Sequence, residues 1–113
     1  VAVLDRLFSD YIRRFASCEL HGVGGILCSS QMQCSHIKSR RFISTRWLPE
    51  NAICACAKHH RWQHDHPVDN ALALIELFGQ ERIDFIQKVW NKGEKPDRVA
   101  LAKWLREELK KAA

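Results

Sequence analysis

This chain has no long apolar run, although apolar residues make up 46% of its 113 residues. No segment approaches the ~20 consecutive apolar residues that span a bilayer, so we expect no membrane partner. Internal repeats and low-complexity segments are also absent from the sequence. The N-terminal segment carries charges throughout and lacks the apolar core and cleavage site of a signal peptide. A single domain over residues 1–113 is expected, and its start at Val1 rather than methionine is consistent with a trimmed or excised domain.

The cysteine content does not suit a disulfide framework. The five cysteines are an odd number and follow no secretory signal, which favours reduced thiols or metal ligands over disulfides. We therefore expect a reducing compartment, the cytoplasm. The net charge of +5 favours a polyanionic partner, although charge alone is a weak indication.

The spacing of apolar residues predicts helices at both ends of the chain. The first helix is predicted over residues 3–16, with an apolar face formed by Leu4, Leu7, Phe8, Tyr11, Ile12 and Phe15. Pro67 interrupts a short helix in AKHHRWQH, and Gly79 is the expected stop of the helix that follows. Two more helices are predicted in QERIDFIQKVWN and PDRVALAKWLREELKK.

Residues 32–56 break the helical pattern. Their segment RRFISTRW is rich in β-branched and aromatic residues, and LPEN punctuates it. We therefore predict a short, irregular β-hairpin with a long connection. The sequence as a whole predicts an α+β fold, with an N-terminal helix over 1–17, a hairpin-and-helix core over 18–66 and C-terminal helices over 67–113.

Two Cys/His pairs have spacing that suits a zinc knuckle. Two residues separate Cys18 from His21 and Cys56 from His59, and 34 residues lie between the pairs. Side chains three positions apart on a tight turn can face one ion, and two such turns supply the four ligands of structural zinc. We therefore predict a structural zinc site formed by these four residues.

An alternative is that Cys18 is buried and His21 exposed, with no shared ion. The three other cysteines compete as ligands, but Cys28 and Cys34 lie six positions apart, which is poor knuckle spacing. Cys54 alternates with Cys56 and should face the other side of a strand. We expect these three thiols in the core.

His60 and His64 form a second candidate metal site. They lie four positions apart in the predicted short helix, so both imidazoles project from one face and could chelate a divalent cation. The pattern is common by chance, but two upstream residues strengthen it. His36 precedes Asn51 by fourteen intervening residues, eight separate Asn51 from His60, and three separate His60 from His64.

This order and spacing resemble the HNH endonucleases, also called the ββα-metal or His-Me finger group, in their colicin-type version. The zinc-knuckle form of the group has one ligand pair before the hairpin and another at its end, as in the two pairs described above. More narrowly, the chain is similar to the phage NinG/Rap recombination endonucleases in LDRLFSDYIRRFASC, QCSHIKSRRFISTRW, ENAICAC and FGQERIDFI.

The resemblance implies a ββα-metal domain with DNA endonuclease activity, acting on recombination intermediates or branched DNA in the host-cell cytoplasm. His36 would be the general base that deprotonates water, and Asn51 would brace the loop and orient that base. His60 and His64 would hold one divalent ion against the scissile phosphate. Mg²⁺ or Mn²⁺ is expected there, while Ni²⁺ and Zn²⁺ suit imidazole ligands better than Mg²⁺.

Four basic residues follow the expected base and are candidate contacts to DNA phosphates: Lys38, Arg40, Arg41 and Arg46. Arg46 is the best candidate for a substrate clamp, since the family has an arginine before the residue that matches Trp47. The alternative for each is an ordinary solvated charge. One residue departs from the family: Ser35 stands where a further metal ligand, Asp or His, commonly precedes the base.

Three other side chains are expected to lie outside the chemistry. Trp47 and Trp62 should fill the core rather than stack on bases, and His66 should be exposed and inert. Asp65 could hydrogen-bond a ligand histidine.

Two other functions remain open: a zinc-stabilised DNA-binding module with an impaired catalytic site, suggested by Ser35, and a zinc-knuckle protein-interaction adaptor, suggested by the amphipathic terminal helices. A homodimer through those helices is also open.

Overall fold

Five helices and a two-stranded sheet make up the part of the chain that this computed structural model describes, residues 1–112. The elements in order are α1 (Ala2–Ile12), β1 (Met32–His36), β2 (Ala52–Cys56), α2 (Ala57–Asp65), α3 (Pro67–Phe78), α4 (Gln80–Lys92) and α5 (Arg98–Ala112). Short 3-10 turns span Val23–Gly25 and Pro49–Asn51. The predicted α+β class is confirmed. Within residues 1–112, no helix has both the length and the apolar character needed to cross a membrane.

The two strands form the predicted antiparallel hairpin. Cys34 lies opposite Cys54 and His36 opposite Ala52. The segment RRFISTRW lies entirely in the connection between the strands and adopts turns. The second strand runs into α2 without an intervening loop, so the hairpin and the short helix form one continuous unit.

The first helix is shorter than the sequence predicts. It ends at Ile12, and Phe15 is 73% exposed although its spacing placed it on the apolar face. The chain leaves the helical path and passes through Ala16, which has a positive φ of 49°. This turn brings the Glu19 N–H to the carbonyl of Cys54, 2.8 Å away, so pairing with the hairpin has replaced the last helical turn.

Two apolar clusters form the core. The first contains side chains of α1, α5 and the inter-strand connection, including Phe8, Trp47 and Leu105. Trp47 is 3% exposed, which confirms its predicted place in the core. Because the apolar faces of α1 and α5 pack against each other, these terminal helices already partner one another.

The second cluster joins the hairpin to the C-terminal helices through Leu20, Ile53 and Leu74. Pro67 stands in the first turn of α3, where its missing N–H breaks no helical hydrogen bond. Gly79, with φ of 89°, separates α3 from α4. Both residues therefore act as the sequence predicts.

Candidate metal centre and adjoining groove

Four ligand atoms converge where β2 runs into α2. The Sγ atoms of Cys18, Cys28 and Cys56 and one ring nitrogen of His59 all lie within 4.8 Å of one another. Cys56 and His59 are fully buried, whereas Cys18 and Cys28 are partly exposed. This cluster could hold a metal ion such as zinc.

The distances within the cluster match those of a tetrahedral zinc site. Zn–S bonds of about 2.3 Å and Zn–N bonds of about 2.0–2.1 Å at a tetrahedral angle place sulfur and nitrogen about 3.6 Å apart. His59 Nδ1 lies 3.2 Å from the Sγ of Cys56, 3.5 Å from that of Cys28 and 3.7 Å from that of Cys18. An ion among these atoms would need little rearrangement of the side chains.

The surroundings prepare two of the ligands for a cation. The Nε2–H of His59 donates to the carbonyl of Val23 at 2.9 Å, which leaves the lone pair of Nδ1 facing the cluster. Cys56 is the N-cap of α2, and its Sγ accepts the backbone N–H of His59 at 3.3 Å. The Cys56 N–H in turn donates to the Sγ of Cys18 at 3.3 Å.

The thiols titrate differently because their environments differ. Burial raises the pKa of Cys56, but hydrogen bonds from His59 and Ser29 outweigh this effect and lower it to about 6. Burial, together with the neighbouring thiols of Cys18 and Cys56, raises the pKa of Cys28 to about 11. Thiolates this close would repel one another, and a bound cation would offset that repulsion.

The structure differs from the predicted ligand set at one position. It brings Cys18, Cys56 and His59 together as predicted, but the fourth member of the cluster is Cys28 and not His21. His21 is exposed, and its Nδ1 lies beside the cluster, 3.5 Å from the Sγ of Cys28. Placing Cys28 in the core was therefore wrong.

A signal for Cys28 was present in the sequence. Its neighbours, GVGGIL before it and SSQ after it, carry no helical or strand periodicity that would bury a thiol. Core placement is confirmed for Cys54, which is 3% exposed, and Cys34 is partly buried against the first cluster.

A groove of about 760 Å³ lies beside the hairpin and brings four of the predicted site residues to one surface, the three histidines and Arg40. His36, His60 and His64 line it together with Arg13 and Arg40. The ring centroids of His60 and His64 are 5.1 Å apart, so the two imidazoles are neighbours on α2 as the spacing predicts. The Nδ1–H of His60 donates to Gln33 Oε1 at 2.7 Å and leaves Nε2 free for a ligand.

His36 ends β1 and is held by the inter-strand connection. Its Nε2–H donates to the carbonyl of Arg46 at 2.8 Å, which leaves the lone pair on Nδ1. Burial lowers the pKa of His36 below its ordinary value of 6.5; the hydrogen bond with Arg46 opposes this effect and Arg40 adds to it, and the lowered pKa favours the neutral ring at pH 7. Burial also lowers the pKa of His60, with smaller contributions from His64 and His36.

The side chain of Asn51 holds two parts of the connection between the strands together by hydrogen bonds. The side chain is fully buried, and its Oδ1 accepts the Lys38 N–H at 2.7 Å. Its Nδ2 donates to the carbonyls of Lys38 and Thr45 at 3.1 and 3.0 Å. These contacts hold the backbone next to His36 in place.

Ser35 contributes to a buried polar network. It is 3% exposed, and its hydroxyl donates to Gln63 Oε1 at 2.7 Å. Gln63 Nε2 donates in turn to Asn70 Oδ1 at 2.9 Å. The residue that departs from the HNH pattern therefore links β1 to α2 and α3.

The four basic residues that were predicted to contact DNA differ in exposure and in whether they have a partner within the protein. Arg46 makes a bidentate ion pair with Asp5, at 2.6 and 2.9 Å, and its side chain is only 16% exposed. Lys38 lies over the ring of Trp90, with Nζ 4.2 Å from the centroid. The exposed members of the set are Arg40, on the groove, and Arg41. Arg46, expected as the clamp, thus has an internal partner.

The remaining predicted residues lie near the end of α2. Trp62 is half-buried and packs so closely on Gly24 that a Cβ there would lie 2.6 Å from its Nε1. His66 is exposed, as predicted, and stacks on Trp62 with centroids 5.5 Å apart. Asp65 is exposed, and no hydrogen bond from it to a ligand histidine is found among residues 1–112.

In comparisons with known proteins, no family model, curated protein or solved structure matches this chain.

Proposed function

We propose that this protein is a divalent-metal-dependent DNA endonuclease of the HNH type, with a structural zinc ion at Cys18, Cys28, Cys56 and His59. The observation that carries the proposal is the shared groove of His36, His60 and His64. A candidate general base and a pair of candidate metal ligands lie there on one open surface, beside arginine side chains that suit phosphate oxygens.

His36 would act as the general base. Its Nε2–H is committed to the Arg46 carbonyl, so Nδ1 is the atom that accepts a proton from the attacking water. A neutral imidazole at pH 7 is the form this step requires. Asn51 would act through the backbone around Lys38, keeping the ring at the groove.

His60 and His64 would hold the catalytic ion. Gln33 fixes the His60 tautomer with Nε2 free, and the adjacent ring of His64 supplies a second donor, so this pair fits a divalent cation with an open coordination sphere. Such an ion, when bound, polarises the phosphate and stabilises the departing 3′ oxygen. Arg40 and Arg13 would attract the DNA backbone to the groove.

A nicking assay on supercoiled plasmid with Mg²⁺ or Mn²⁺ tests the proposal. Wild-type protein should convert the plasmid to the open circle, and His36→Ala should reduce the rate by about 10²- to 10⁴-fold with unchanged zinc content. His66→Ala is the matched control, because this exposed histidine lies away from the groove, and it should nick at the wild-type rate.

A wild-type protein that nicks no DNA form with any divalent metal would rule out the nuclease. Equal activity of His36→Ala and wild type would remove His36 as the base while leaving the nuclease class open to another residue.

A second candidate function is a DNA-binding module that lacks catalysis. Ser35 favours it, because its hydroxyl is committed to Gln63 and the groove is left with two histidine ligands. Binding that weakens steeply with salt, without cleavage, would support this function.

Branched DNA as the preferred substrate of the proposed nuclease rests on the family resemblance alone, and comparing a four-way junction with linear duplex would test it.

A further inference from the structure

The four members of the metal cluster are not equally anchored. Cys56 and His59 belong to the continuous strand and helix and are fully buried. Cys18 is held beside them, because its Sγ accepts the Cys56 N–H and the next residue, Glu19, donates its N–H to Cys54. These three ligands are fixed by the backbone of the hairpin.

Cys28 lies in a more weakly held segment. Residues 26–31 have no helix or strand, and they begin directly after a glycine-rich 3-10 turn. Beside Cys28, Ser29 hydrogen-bonds the Cys56 sulfur and its Oγ accepts the Lys58 N–H at 3.3 Å. Further along, the Gln31 carbonyl accepts the Ala57 N–H at 2.8 Å. The fourth ligand position therefore depends on a loop.

His21 also lies next to the fourth ligand position, which Cys28 occupies. Its Nδ1 is 3.5 Å from the Sγ of Cys28, the same distance that separates this sulfur from His59 Nδ1. A turn closed by the His21 N–H and the Cys18 carbonyl, 3.3 Å apart, keeps His21 next to the anchored ligand. Its ring is exposed, and its hydrogen-bond partner among residues 1–112 is the Cys28 sulfur.

We propose that His21 is a reserve zinc ligand that takes the fourth position when the Cys28 thiolate is unavailable. Rotation of an exposed side chain would bring Nδ1 into the place of the sulfur, changing a three-thiolate, one-histidine site into a two-thiolate, two-histidine site. Zinc accepts both sets, since it has no geometric preference from its d electrons and binds sulfur and imidazole nitrogen alike. The inference depends on the zinc centre alone, and its test requires no nuclease activity.

Zinc affinity of four full-length variants, measured by competition with a chromophoric chelator, tests this inference. Cys28→Ala should keep one zinc per chain with an affinity close to that of wild type, and His21→Ala should do the same because Cys28 is then present. The double variant Cys28→Ala/His21→Ala should bind zinc about 100-fold more weakly, since the site has lost one of its four ligands. Cys56→Ala should lose a similar factor even with His21 present, because His21 cannot reach that buried position.

Cobalt substitution and nitrogen NMR give a second, independent readout. In Cys28→Ala, the tetrahedral Co²⁺ bands should remain while the sulfur-to-metal absorption falls to about two-thirds, as three thiolates become two. The His21 ring nitrogens should shift on zinc addition to Cys28→Ala and stay unchanged in the zinc-loaded wild type.

Three results would overturn the proposal. In the first, Cys28→Ala binds zinc as weakly as the double variant, or fails to fold with zinc present. In the second, His21→Ala alone weakens zinc binding as much as the double variant does, which would make His21 the resident ligand. In the third, the His21 nitrogens do not respond to zinc in Cys28→Ala.

Discussion

Asn51 shows at the scale of one residue how this protein uses a buried polar side chain. Its amide replaces the hydrogen bonds that the irregular connection between the strands cannot make with a third strand. An aliphatic residue of similar size would bury as well but would leave the Lys38 N–H and two carbonyls without these partners. The asparagine that the sequence pattern singled out therefore also has a structural role, because it stabilises the connection between the strands.

Asn51→Ala should lower the free energy of unfolding by about 2–3 kcal/mol, because buried backbone groups lose their partners and a small cavity opens. Urea unfolding followed by circular dichroism measures the change. Asn91→Ala is the control, since this exposed asparagine should give a change within about 0.5 kcal/mol. Equal effects of the two substitutions would show that Asn51 does not brace the connection.

At the scale of elements, a chain of three hydrogen-bonded polar side chains, two of them buried, links α2 to the hairpin and to α3. Ser35 on β1, Gln63 on α2 and Asn70 on α3 donate and accept in sequence. Because His60 and His64 project from the same short helix, this chain determines where both rings lie relative to His36. The sequence pattern alone gave the spacing of the histidines but not this attachment.

Ser35→Ala should destabilise the protein by about 1–2 kcal/mol, because Gln63 Oε1 then loses its donor in a buried place. Ser30→Ala, at an exposed bend, is the matched control and should change stability by less than about 0.5 kcal/mol. Thermal and urea unfolding of both variants would measure this. A Ser35→Ala protein as stable as the control variant would contradict the role of the network.

At the scale of the whole molecule, Asp5 joins the N-terminal helix to the inter-strand connection. Its carboxylate accepts two hydrogen bonds from Arg46 and one from Trp47 Nε1, at 2.8 Å. Arg46 is the main cause that lowers the pKa of Asp5 below 3.8, its ordinary value. Arg46, which the sequence predicted as a contact to DNA, therefore joins parts of the chain that are 41 residues apart.

Asp5→Asn should lower the free energy of unfolding by about 2–3 kcal/mol at pH 7, because it leaves a mostly buried guanidinium without its counter-charge. The folded-state pKa lies below the unfolded value, so the stabilisation is complete above about pH 4–5 and is lost as pH falls through the folded pKa, below 3.8. Urea unfolding of both proteins between pH 7 and 2.5 should show a constant difference that shrinks below pH 3.8.

Asp10→Asn is the control for this experiment, since its ion pair with Arg13 is on the surface, with side chains 44% and 36% exposed. This substitution should change stability by less than about 0.5 kcal/mol. A difference between Asp5→Asn and wild type that stays constant down to pH 2.5 would mean that the carboxylate charge is not what stabilises the fold.

Removal of a bound zinc ion should act on the whole molecule, because the cluster that could hold it brings the segments around residues 18 and 28 to the hairpin. A chelator that strips one zinc per chain should lower Tm by more than about 10 °C. The His60→Ala variant should show the same drop, which assigns it to the cysteine cluster rather than to the groove. A zinc-loaded protein whose Tm does not change on chelation would exclude a structural role for the ion.

Much of this architecture followed from local pattern. Apolar spacing predicted four of the five helices, because side-chain period and backbone geometry are linked within a few residues. The β-branched and aromatic segment RRFISTRW indicated the hairpin region but forms its connection, and the strands themselves are Met32–His36 and Ala52–Cys56. The same local linkage set the pairs Cys56/His59 and His60/His64, which lie within single turns. Local pattern did not predict that α1 ends at Ile12, because the end depends on a hydrogen bond between the Glu19 N–H and the carbonyl of the distant Cys54.

By itself the sequence determined most of the helices, the Cys/His pairs that could hold a metal and the neighbours within each turn, because these depend on spacing along one backbone. Only the tertiary structure decided which distant side chains meet: Cys28 rather than His21 in the cluster, and Asp5 opposite Arg46. The physical reason is that these contacts depend on the path of irregular segments, the glycine-rich loop before Cys28 and the long connection before Arg46. No periodicity along the chain encodes such a path.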